Sequence, residues 1–245
     1  MSLMLVAHGT RMPGGVTMVE RLAAQVGTLL DQTLDVAFVD VLGPTPGEVL
    51  SRVRATGRPA IVVPAFLSRG YHVRADLPAH VAASGHPNVI VTPALGPSGQ
   101  IARIISDQLV QCGWRPNDSV ILAAAGTSDA HALADLHTTA TLLSALTGSR
   151  VSLGFAATTD PQLREAVARV RPHARRSGGR VVLASYLLAD GLFQERLHSC
   201  GADLVSRPLG THPGLARLIA NRFRRAIPTA PAPTGRHASH RSSAA

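Results

Sequence analysis

"LMLVAHGT" (Leu3–Thr10) is an apolar run that ends abruptly in a histidine, a glycine and a threonine. A short apolar run that stops at small and polar residues is typical of a buried strand that reaches the edge of a parallel sheet. The pattern returns in the second half of the chain as "VILAAAGT" (Val120–Thr127), where Ala125 stands in place of His8. The same unit is therefore present twice, and only the first copy carries a histidine at the end of the strand.

Two further stretches repeat in the same order and at nearly the same spacing. "AIVVPAFLSRGYH" (Ala60–His72) matches "RVVLASYLLADGLF" (Arg180–Phe193), and "LGPSGQIARII" (Leu95–Ile105) matches "LGTHPGLARLI" (Leu209–Ile219). Three ordered matches at near-constant spacing are the signature of an internal duplication. The chain is predicted to consist of two similar α/β lobes.

The boundary between the lobes is predicted near Trp114–Asn117, in a polar stretch between two apolar segments. This divides the chain into a first, catalytic lobe over residues 1–115 and a second, degenerate lobe over residues 116–226. A tail over residues 227–245 is rich in Pro, Ala and Ser and is expected to be disordered, because it has little apolar surface to bury.

Strand-like and helix-like segments alternate within the first lobe. Four apolar runs rich in β-branched residues are predicted strands, and each is followed by an amphipathic segment. The predicted strands are Leu3–Ala7, Asp35–Val41, Pro59–Ala65 and Asn88–Ala94. Such alternation makes a parallel sheet with helices on both faces, and ligands collect at the carboxyl ends of its strands.

The composition indicates a folded protein without a membrane segment. The 245 residues are 45% hydrophobic, which is ample for a packed core. No apolar run approaches the roughly 18 residues that span a bilayer, and the first residues lack the charged start of a signal peptide. Cys112 and Cys200 are not spaced as a metal-binding pair. We therefore expect a cytoplasmic protein with reduced cysteines.

The basic residues of the chain are all arginines and give it a formal net charge of +9. Aromatic residues make up only 3%, so no platform for stacking bases is evident, and no nucleic-acid-binding motif is present. An acidic small molecule accounts for the charge as well. We expect no nucleic-acid partner.

The two lobes differ at polar positions in a way that indicates where the chemistry lies. When the two copies are aligned, polar residues of the first lobe correspond to apolar ones in the second: His8 aligns with Ala125, His72 with Phe193, and Asp76 with Leu197. The glycines of the scaffold persist in both copies. The joint loss of two imidazoles favours a shared functional role for His8 and His72, since polar groups clustered at strand ends are candidate sites.

A carboxylate adds to the two histidines at the same edge of the predicted sheet. His8 ends the first strand, Asp40 lies at the end of the second, and His72 follows the third. Two imidazoles and one carboxylate suit a divalent first-row metal with positions left open for a substrate. Asp40 is interpreted either as a ligand or proton acceptor or as a turn cap. Asp76 is expected to orient an imidazole or to support a helix start.

Other catalytic motifs are absent from the sequence. There is no G-x-G-x-x-G after a strand, no G-x-x-x-x-G-K-[ST] and no G-x-S-x-G, which argues against dinucleotide binding, P-loop chemistry and a serine hydrolase. Most of the remaining histidines are interpreted as surface or core residues: His80, His86, His131, His137, His173, His198 and His212. His237 and His240 lie in the tail.

Four motifs resemble the sirohydrochlorin chelatase family, whose members in the cobalamin pathway are called cobaltochelatases. They are "VAHGTR" (Val6–Arg11), "FVDVLGPTPGEVL" (Phe38–Leu50), "PAFLSRGYHVRADLP" (Pro64–Pro78) and "LGPSG" (Leu95–Gly99). The resemblance covers the first lobe nearly end to end. It implies a class II chelatase-like fold in which the second lobe matches the degenerate half of the long, two-domain members.

The resemblance also implies a reaction and roles for named residues. The enzyme would insert Fe(II), in preference to Co(II), into sirohydrochlorin. His8 and His72 would bind the metal in a cleft between the lobes. Asp40 stands at a position where many members carry Glu. Arg11, Arg69 and Arg74 would bind the carboxylates of the substrate, as would Thr10.

The same resemblance implies that the metal is a substrate of the reaction, so no tightly bound cofactor is expected. A monomer is expected because two lobes mimic a dimer. The alternatives are a chelatase for another porphyrinoid and a non-catalytic carrier of metal or tetrapyrrole.

Overall fold

The computed structural model describes residues 1–156 and 162–228 of the chain. Two four-stranded parallel sheets form the framework, with strand orders β2-β1-β3-β4 and β6-β5-β7-β8. The strands are β1 (Ser2–Ala7), β2 (Leu34–Phe38), β3 (Ala60–Pro64), β4 (Val89–Val91), β5 (Ser119–Ala124), β6 (Ser152–Phe155), β7 (Val181–Tyr186) and β8 (Leu204–Val205). The identical strand order in both halves confirms the predicted α/β fold with two similar lobes.

Helices connect the strands in both lobes. They are α1 (Pro13–Leu30), α2 (Pro46–Ala55), α3 (Leu77–Ser84), α4 (Gly99–Gln111), α5 (Ala130–Thr147), α6 (Gln162–Arg176), α7 (Leu192–Ser199) and α8 (Pro213–Ala226). A π-helical turn (His72–Asp76) precedes α3, and a 3-10 turn (Leu209–Thr211) precedes α8. Side chains that accept hydrogen bonds from free backbone amides cap several helix starts. These caps are Thr45, Ser98, Asp129 and His212.

Central strands carry the core. Every residue of β3, β5 and β7 is buried, because helices cover both faces of each sheet. One cluster of buried apolar side chains joins the lobes, running from Leu5 and Ile105 in the first half to Leu136 and Phe223 in the second. The lobes are therefore packed against each other through apolar contacts as well as polar ones.

The last helix of each half packs on the opposite lobe. α4 lies against α5 and β7 of the second lobe, while α8 lies against α1 and β3 of the first. Hydrogen bonds accompany the exchange: Gln108 donates to the carbonyl of Pro208, and Arg222 donates to the carbonyl of Ala94. The division of the chain near residue 115 stays a prediction, because α4 and α8 each pack on the lobe across this boundary.

β2 is shorter than predicted, since it ends at Phe38 and not at Val41. The amides of Val39 and Asp40 still donate to the carbonyls of Ala7 and His8, but Val41 has a positive φ of 69° and turns the chain away. Asp40 therefore lies in a turn beyond the strand.

The remaining predictions concern cysteines, membrane segments and the tail. Cys112 and Cys200 are both free. Within the two described ranges, no helix combines the length and the apolar character that crossing a membrane requires. The predicted disorder of the tail, with His237 and His240, concerns residues that lie outside the described ranges from 229 onwards.

Candidate active site

A glycine turn brings the end of β1 to the end of β2. Gly9 has a φ of +98°, a conformation that residues with a Cβ rarely adopt. A Cβ at this position would collide with the backbone carbonyl of Asp40. Gly126 occupies the equivalent position after β5 with a φ of +118°. This turn leaves His8 exposed at the carboxyl edge of the first sheet.

His72 begins the π-helical turn that follows β3. The amide of Leu77 donates to the carbonyl of His72, five residues back, which is the wide spacing of a π-helix. Pro78 explains the widening, since it has no amide hydrogen for the carbonyl of Arg74 and its ring would clash with that carbonyl in a regular α-helix. π-helical turns often occur at functional sites.

The two predicted histidines meet. The ring centroids of His8 and His72 are 4.5 Å apart, and the ring planes are inclined at 89°. His8 Nδ1 lies 3.0 Å from the carbonyl oxygen of Gly9, and His72 Nδ1 lies 2.5 Å from Asp76 Oδ2. A carbonyl oxygen and an ionised carboxylate only accept hydrogen bonds, so each Nδ1 acts as the donor. In a neutral imidazole with this tautomer Nε2 carries the lone pair, and within the described residues neither Nε2 has a hydrogen-bond partner.

Two aromatic side chains lie near His72, and further apolar side chains are exposed on the strand-end loops. The ring centroid of Tyr71 lies 6.0 Å from that of His72, and Tyr71 is 64% exposed; the half-buried Phe66 stacks on His72 with a centroid distance of 6.2 Å. Met12, Val41 and Leu192 are also exposed and follow β1, β2 and β7. Such an apolar rim suits a flat, hydrophobic ligand with polar edges.

The backbone of Asp40 is bonded to that of His8, but its side chain is used locally. Its Oδ1 accepts a hydrogen bond of 2.7 Å from the amide of Val41, as expected for the turn cap that sequence reasoning kept as an alternative. Within residues 1–156 and 162–228, no three His, Cys, Asp or Glu side chains are grouped so that they could hold a metal ion. The structure therefore brings together two histidines without Asp40 as a third ligand.

Thr10 is also used for local structure. Its Oγ1 accepts a hydrogen bond from the amide of Met12, and in the second lobe Thr127 Oγ1 accepts the same bond from the amide of Asp129. The second lobe lacks the histidines but keeps this turn. The shared bond therefore explains the threonine by turn geometry, and its role in substrate binding stays a prediction.

Among the three arginines predicted to bind substrate, Arg69 is already occupied. Its Nη2 lies 2.5 Å from Asp135 Oδ1 and its Nε lies 3.0 Å from Oδ2, so the guanidinium is paired with α5 of the second lobe. This pairing gives Arg69 a structural partner that sequence reasoning did not predict, and its binding of a substrate carboxylate stays a prediction. Arg74 lies 3.6 Å from Asp129 and stays half exposed, and within the described residues the Arg11 side chain has no ion pair or hydrogen bond.

Sequence reasoning missed two residues of the second lobe that reach the loop before His72. Asp135 binds Arg69, and the hydroxyl of Tyr186 donates to the carbonyl of Leu67. Burial raises the pKa of Tyr186 well above its ordinary value, so the phenol stays protonated and able to donate. The repeat carried a signal for Tyr186, because the first lobe has the small Ala65 at the equivalent strand position.

Several of the other histidines have structural partners, in keeping with the interpretation given to them. His86 Nε2 lies 3.0 Å from the carbonyl of Arg58, and His212 caps α8 through Nδ1. His198 contacts Gln194 within α7. These contacts account for three histidines without any role in catalysis.

Curated relatives carry a single description. The "Sirohydrochlorin cobaltochelatase" of Methanopyrus kandleri is 35% identical over 79 residues, which are 31% of this chain and 55% of that protein. The chain thus spans about half the length of this relative. The protein of the same description from Methanothermobacter thermautotrophicus is 28% identical over 128 residues, 44% of this chain and 89% of that protein.

Solved structures support the same fold. SirB from Bacillus subtilis with Fe3+ superimposes with a TM-score of 0.77 at 20% identity, over 91% of this chain and 94% of that one. A structure described as CbiX, the terminal enzyme for biosynthesis of siroheme in denitrifying bacteria, superimposes with a TM-score of 0.67 at 20% identity, over 93% and 100% of the two chains. At this identity the likeness shows the architecture.

The match to a family model covers both lobes. The model described as CbiX matches residues 2–112 and again residues 119–226, which together make up most of the chain. The double match follows the internal repeat, and its first part contains His8 and His72. The chain belongs to the CbiX family.

Proposed function

We propose that the chain inserts a divalent metal, Fe(II) or Co(II), into sirohydrochlorin. The observation that carries this proposal is the edge-to-face contact of His8 and His72, with both Nε2 atoms available at the carboxyl edge of the first sheet. The curated relatives described as sirohydrochlorin cobaltochelatases support the substrate. Neutral imidazoles bind both metals, so the ligands leave the choice between them open.

Metal insertion requires the metal to be held and then released. Two imidazole ligands leave most coordination positions of the incoming metal open for the pyrrole nitrogens, so the bond to the protein can be exchanged for bonds to the macrocycle. The metal is a substrate in this scheme, and no resident cofactor is needed.

Two pyrrole protons must leave the macrocycle as the metal enters. After the metal has left their Nε2 atoms, His8 and His72 are placed to accept these protons, because imidazole exchanges protons near neutral pH. Asp76 stabilises the positive charge that forms on His72, since its carboxylate lies 2.5 Å from the Nδ1–H. The Gly9 carbonyl holds the ring of His8 in the same tautomer.

The tetrapyrrole is expected to lie on the apolar rim around the histidines. Tyr71, Met12 and Leu192 offer exposed apolar surface to the ring, and Arg11 and Arg74 offer guanidinium groups to its carboxylates. Met12 lies 3.8 Å from a Cβ position on Gly191 of the second lobe, so the rim crosses from one lobe to the other.

One chain supplies both lobes that border this rim, which supports a monomer as the working unit. Two free cysteines fit a reducing compartment, and we therefore place the reaction in the cytoplasm.

An anaerobic insertion assay tests the proposal. Metal-free sirohydrochlorin is mixed with the protein and with Fe(II), Co(II) or Ni(II), and the visible absorption of the macrocycle is followed. We expect repeated turnover with Fe(II) or Co(II). A protein that binds sirohydrochlorin but never metallates more than one equivalent would be a carrier, and a protein that does not bind it would have another substrate.

A further inference from the structure

We propose that Asp135 of the second lobe is a positioning residue that fixes His72 opposite His8. The inference rests on the proposed function, because it assumes that the two histidines hold the metal. It assigns a task to the lobe that has lost its own histidines. Asp135 lies on α5 and touches neither imidazole, so it acts through the loop that leads from β3 to His72.

Several hydrogen bonds join Asp135 to one residue of this loop, Arg69. Asp135 Oδ2 accepts from the backbone amide of Arg69 at 2.8 Å, and both carboxylate oxygens accept from the Arg69 guanidinium. The Asp135 side chain is 1% exposed. Its burial alone would raise the pKa of the carboxyl, but the bonds from Arg69 outweigh burial and hold the pKa below its ordinary value.

Two more side chains on the same face of α5 lie beside the loop or beside a residue that binds it. The Cβ of Ala132 lies 3.6 Å from a Cβ position on Gly70, which leaves little room between helix and loop. Thr139 contacts the Tyr186 hydroxyl at 3.2 Å, and that hydroxyl donates to the carbonyl of Leu67 at 2.7 Å. Hydrogen bonds to side chains of the second lobe therefore hold the loop at Leu67 and at Arg69, and Ala132 lies beside Gly70.

The held loop in turn fixes the start of the π-helical turn. The amides of Val73 and Arg74 both donate to the carbonyl of Gly70, at 3.1 Å each. Gly70 follows Arg69 directly, so the position of the Arg69 backbone sets the turn in which His72 lies. His8 is held separately, by the Gly9 turn against β2. A displaced loop would therefore move one histidine and leave the other in place.

A second buried aspartate provides a matched control. Asp118 is 2% exposed and accepts hydrogen bonds from the backbone amide of Arg180 and from its guanidinium, at 2.8 Å each. The chemistry is that of Asp135 and Arg69. The pair, however, lies just before β5 and β7, at the amino ends of these strands, whereas the histidines lie at carboxyl ends. Loss of this pair should cost stability without moving His72.

The test compares Asp135→Asn with Asp118→Asn. Co(II) is titrated into each protein without tetrapyrrole and followed by visible absorption, and kcat and KM for sirohydrochlorin are measured separately. For Asp135→Asn we expect Co(II) affinity and kcat to fall about 10-fold or more, with KM changed less than about twofold, because small displacements of a reacting group are costly. For Asp118→Asn we expect wild-type values in both assays and a similar loss in Tm.

Two more variants separate positioning from substrate binding. Arg69→Gln should change Co(II) affinity and kcat in the same direction as Asp135→Asn, because it removes the guanidinium bonds and keeps only the bond from the backbone amide. The effects of the two substitutions should not add in the double variant, since they share one set of hydrogen bonds. If Arg69 instead bound a substrate carboxylate, Arg69→Gln would raise KM and Asp135→Asn would not. Tyr186→Phe removes the bond to Leu67, together with the contact to Thr139, and nearly keeps the core volume. It should lower Co(II) affinity in the same direction, and it keeps the test available if Asp135→Asn does not fold.

Wild-type Co(II) affinity and kcat in folded Asp135→Asn, or equal losses in Asp118→Asn, would overturn the positioning role. Failure of the wild type to insert any metal would contradict the proposed function instead. The Co(II) titrations would then still decide whether Asp135 positions the metal-binding pair.

Discussion

His8 and His72 come from turns after different strands, yet their rings meet edge to face with centroids 4.5 Å apart. Each turn has its own cause. Gly9 allows β1 to end against the carbonyl of Asp40, and the π-helical turn before Pro78 carries His72 with Asp76 one turn away. The Nδ1 atoms are bound to protein acceptors, and within the described residues neither Nε2 atom has a hydrogen-bond partner.

Asp76→Asn should lower the rate of insertion more than the affinity for metal. Asn can still accept the hydrogen bond from His72 Nδ1, so the ring keeps its orientation, but it cannot stabilise the charge that appears when His72 accepts a proton. We expect kcat to fall about 10-fold or more. Stopped-flow insertion and a metal titration measure the two effects, and a larger loss in affinity than in kcat would contradict the charge-stabilising role.

Removal of the guanidinium of Arg11 or of Arg74 should weaken tetrapyrrole binding specifically. Each charge-assisted pair lost in Arg11→Gln or Arg74→Gln should cost about 1.5–3 kcal/mol, or roughly 10- to 100-fold in affinity. Added salt should weaken wild-type binding in the same direction by screening. Fluorescence titration with metal-free sirohydrochlorin measures this, with Arg175→Gln in the last turn of α6 as the control. Equal affinities of all variants would remove the assignment.

Gly9→Ala should destabilise the fold through a clash as well as through backbone strain. Gly57 has a similar positive φ of 67° but has no atom within 4 Å of its Cβ position, so Gly57→Ala reports strain alone. We expect Gly57→Ala to cost about 1 kcal/mol and Gly9→Ala clearly more. Urea unfolding gives both values. Equal free energies of unfolding would mean that the backbone around Asp40 moves at little cost to make room for the added Cβ.

Acid should remove the contribution of the two buried aspartates to the stability of the folded protein. At both Asp135 and Asp118 burial would raise the pKa, but hydrogen bonds from the paired arginine hold it below its ordinary value. A carboxyl with a lowered folded-state pKa stabilises the protein above its unfolded pKa, near 3.9, and loses that effect as pH falls through the folded value.

The wild type should therefore lose stability below about pH 4, and Asp135→Asn should lose less over the same range. Urea unfolding at a series of pH values down to about 2.5 measures the slopes. Identical slopes for both proteins would show that Asp135 does not contribute to acid sensitivity.

Most of the framework could be predicted because the sequence contains the strand and turn pattern twice. The two copies of a strand followed by Gly-Thr, aligned on Gly9 and Gly126, indicate two equivalent sheets, and the loss of imidazole at Ala125 and Phe193 indicates the histidine pair. These signals are local in the chain. They depend on strand periodicity and on turn chemistry, which neighbouring residues determine.

Contacts between the lobes could not be predicted in the same way. The partner of Arg69 is a carboxylate on α5, far away in sequence, and nothing around Asp135 distinguishes it from a surface residue of that helix. The exchange of α4 and α8 depends on which apolar faces meet in three dimensions. The early end of β2 follows from the positive φ of Val41, a residue that normally favours strands.

Insertion by wild type and by the double variant His8→Ala/His72→Ala tests the central claim most directly. The second lobe shows that the scaffold accepts Ala125 and Phe193 at the equivalent positions, so the variant should fold, and His137→Ala on the exposed face of α5 serves as a control. The number of sirohydrochlorin molecules metallated per chain is counted anaerobically with Fe(II) and Co(II). We expect many turnovers for the wild type and for His137→Ala, and only the uncatalysed background for the double variant. Turnover by the double variant at the wild-type rate would contradict the account.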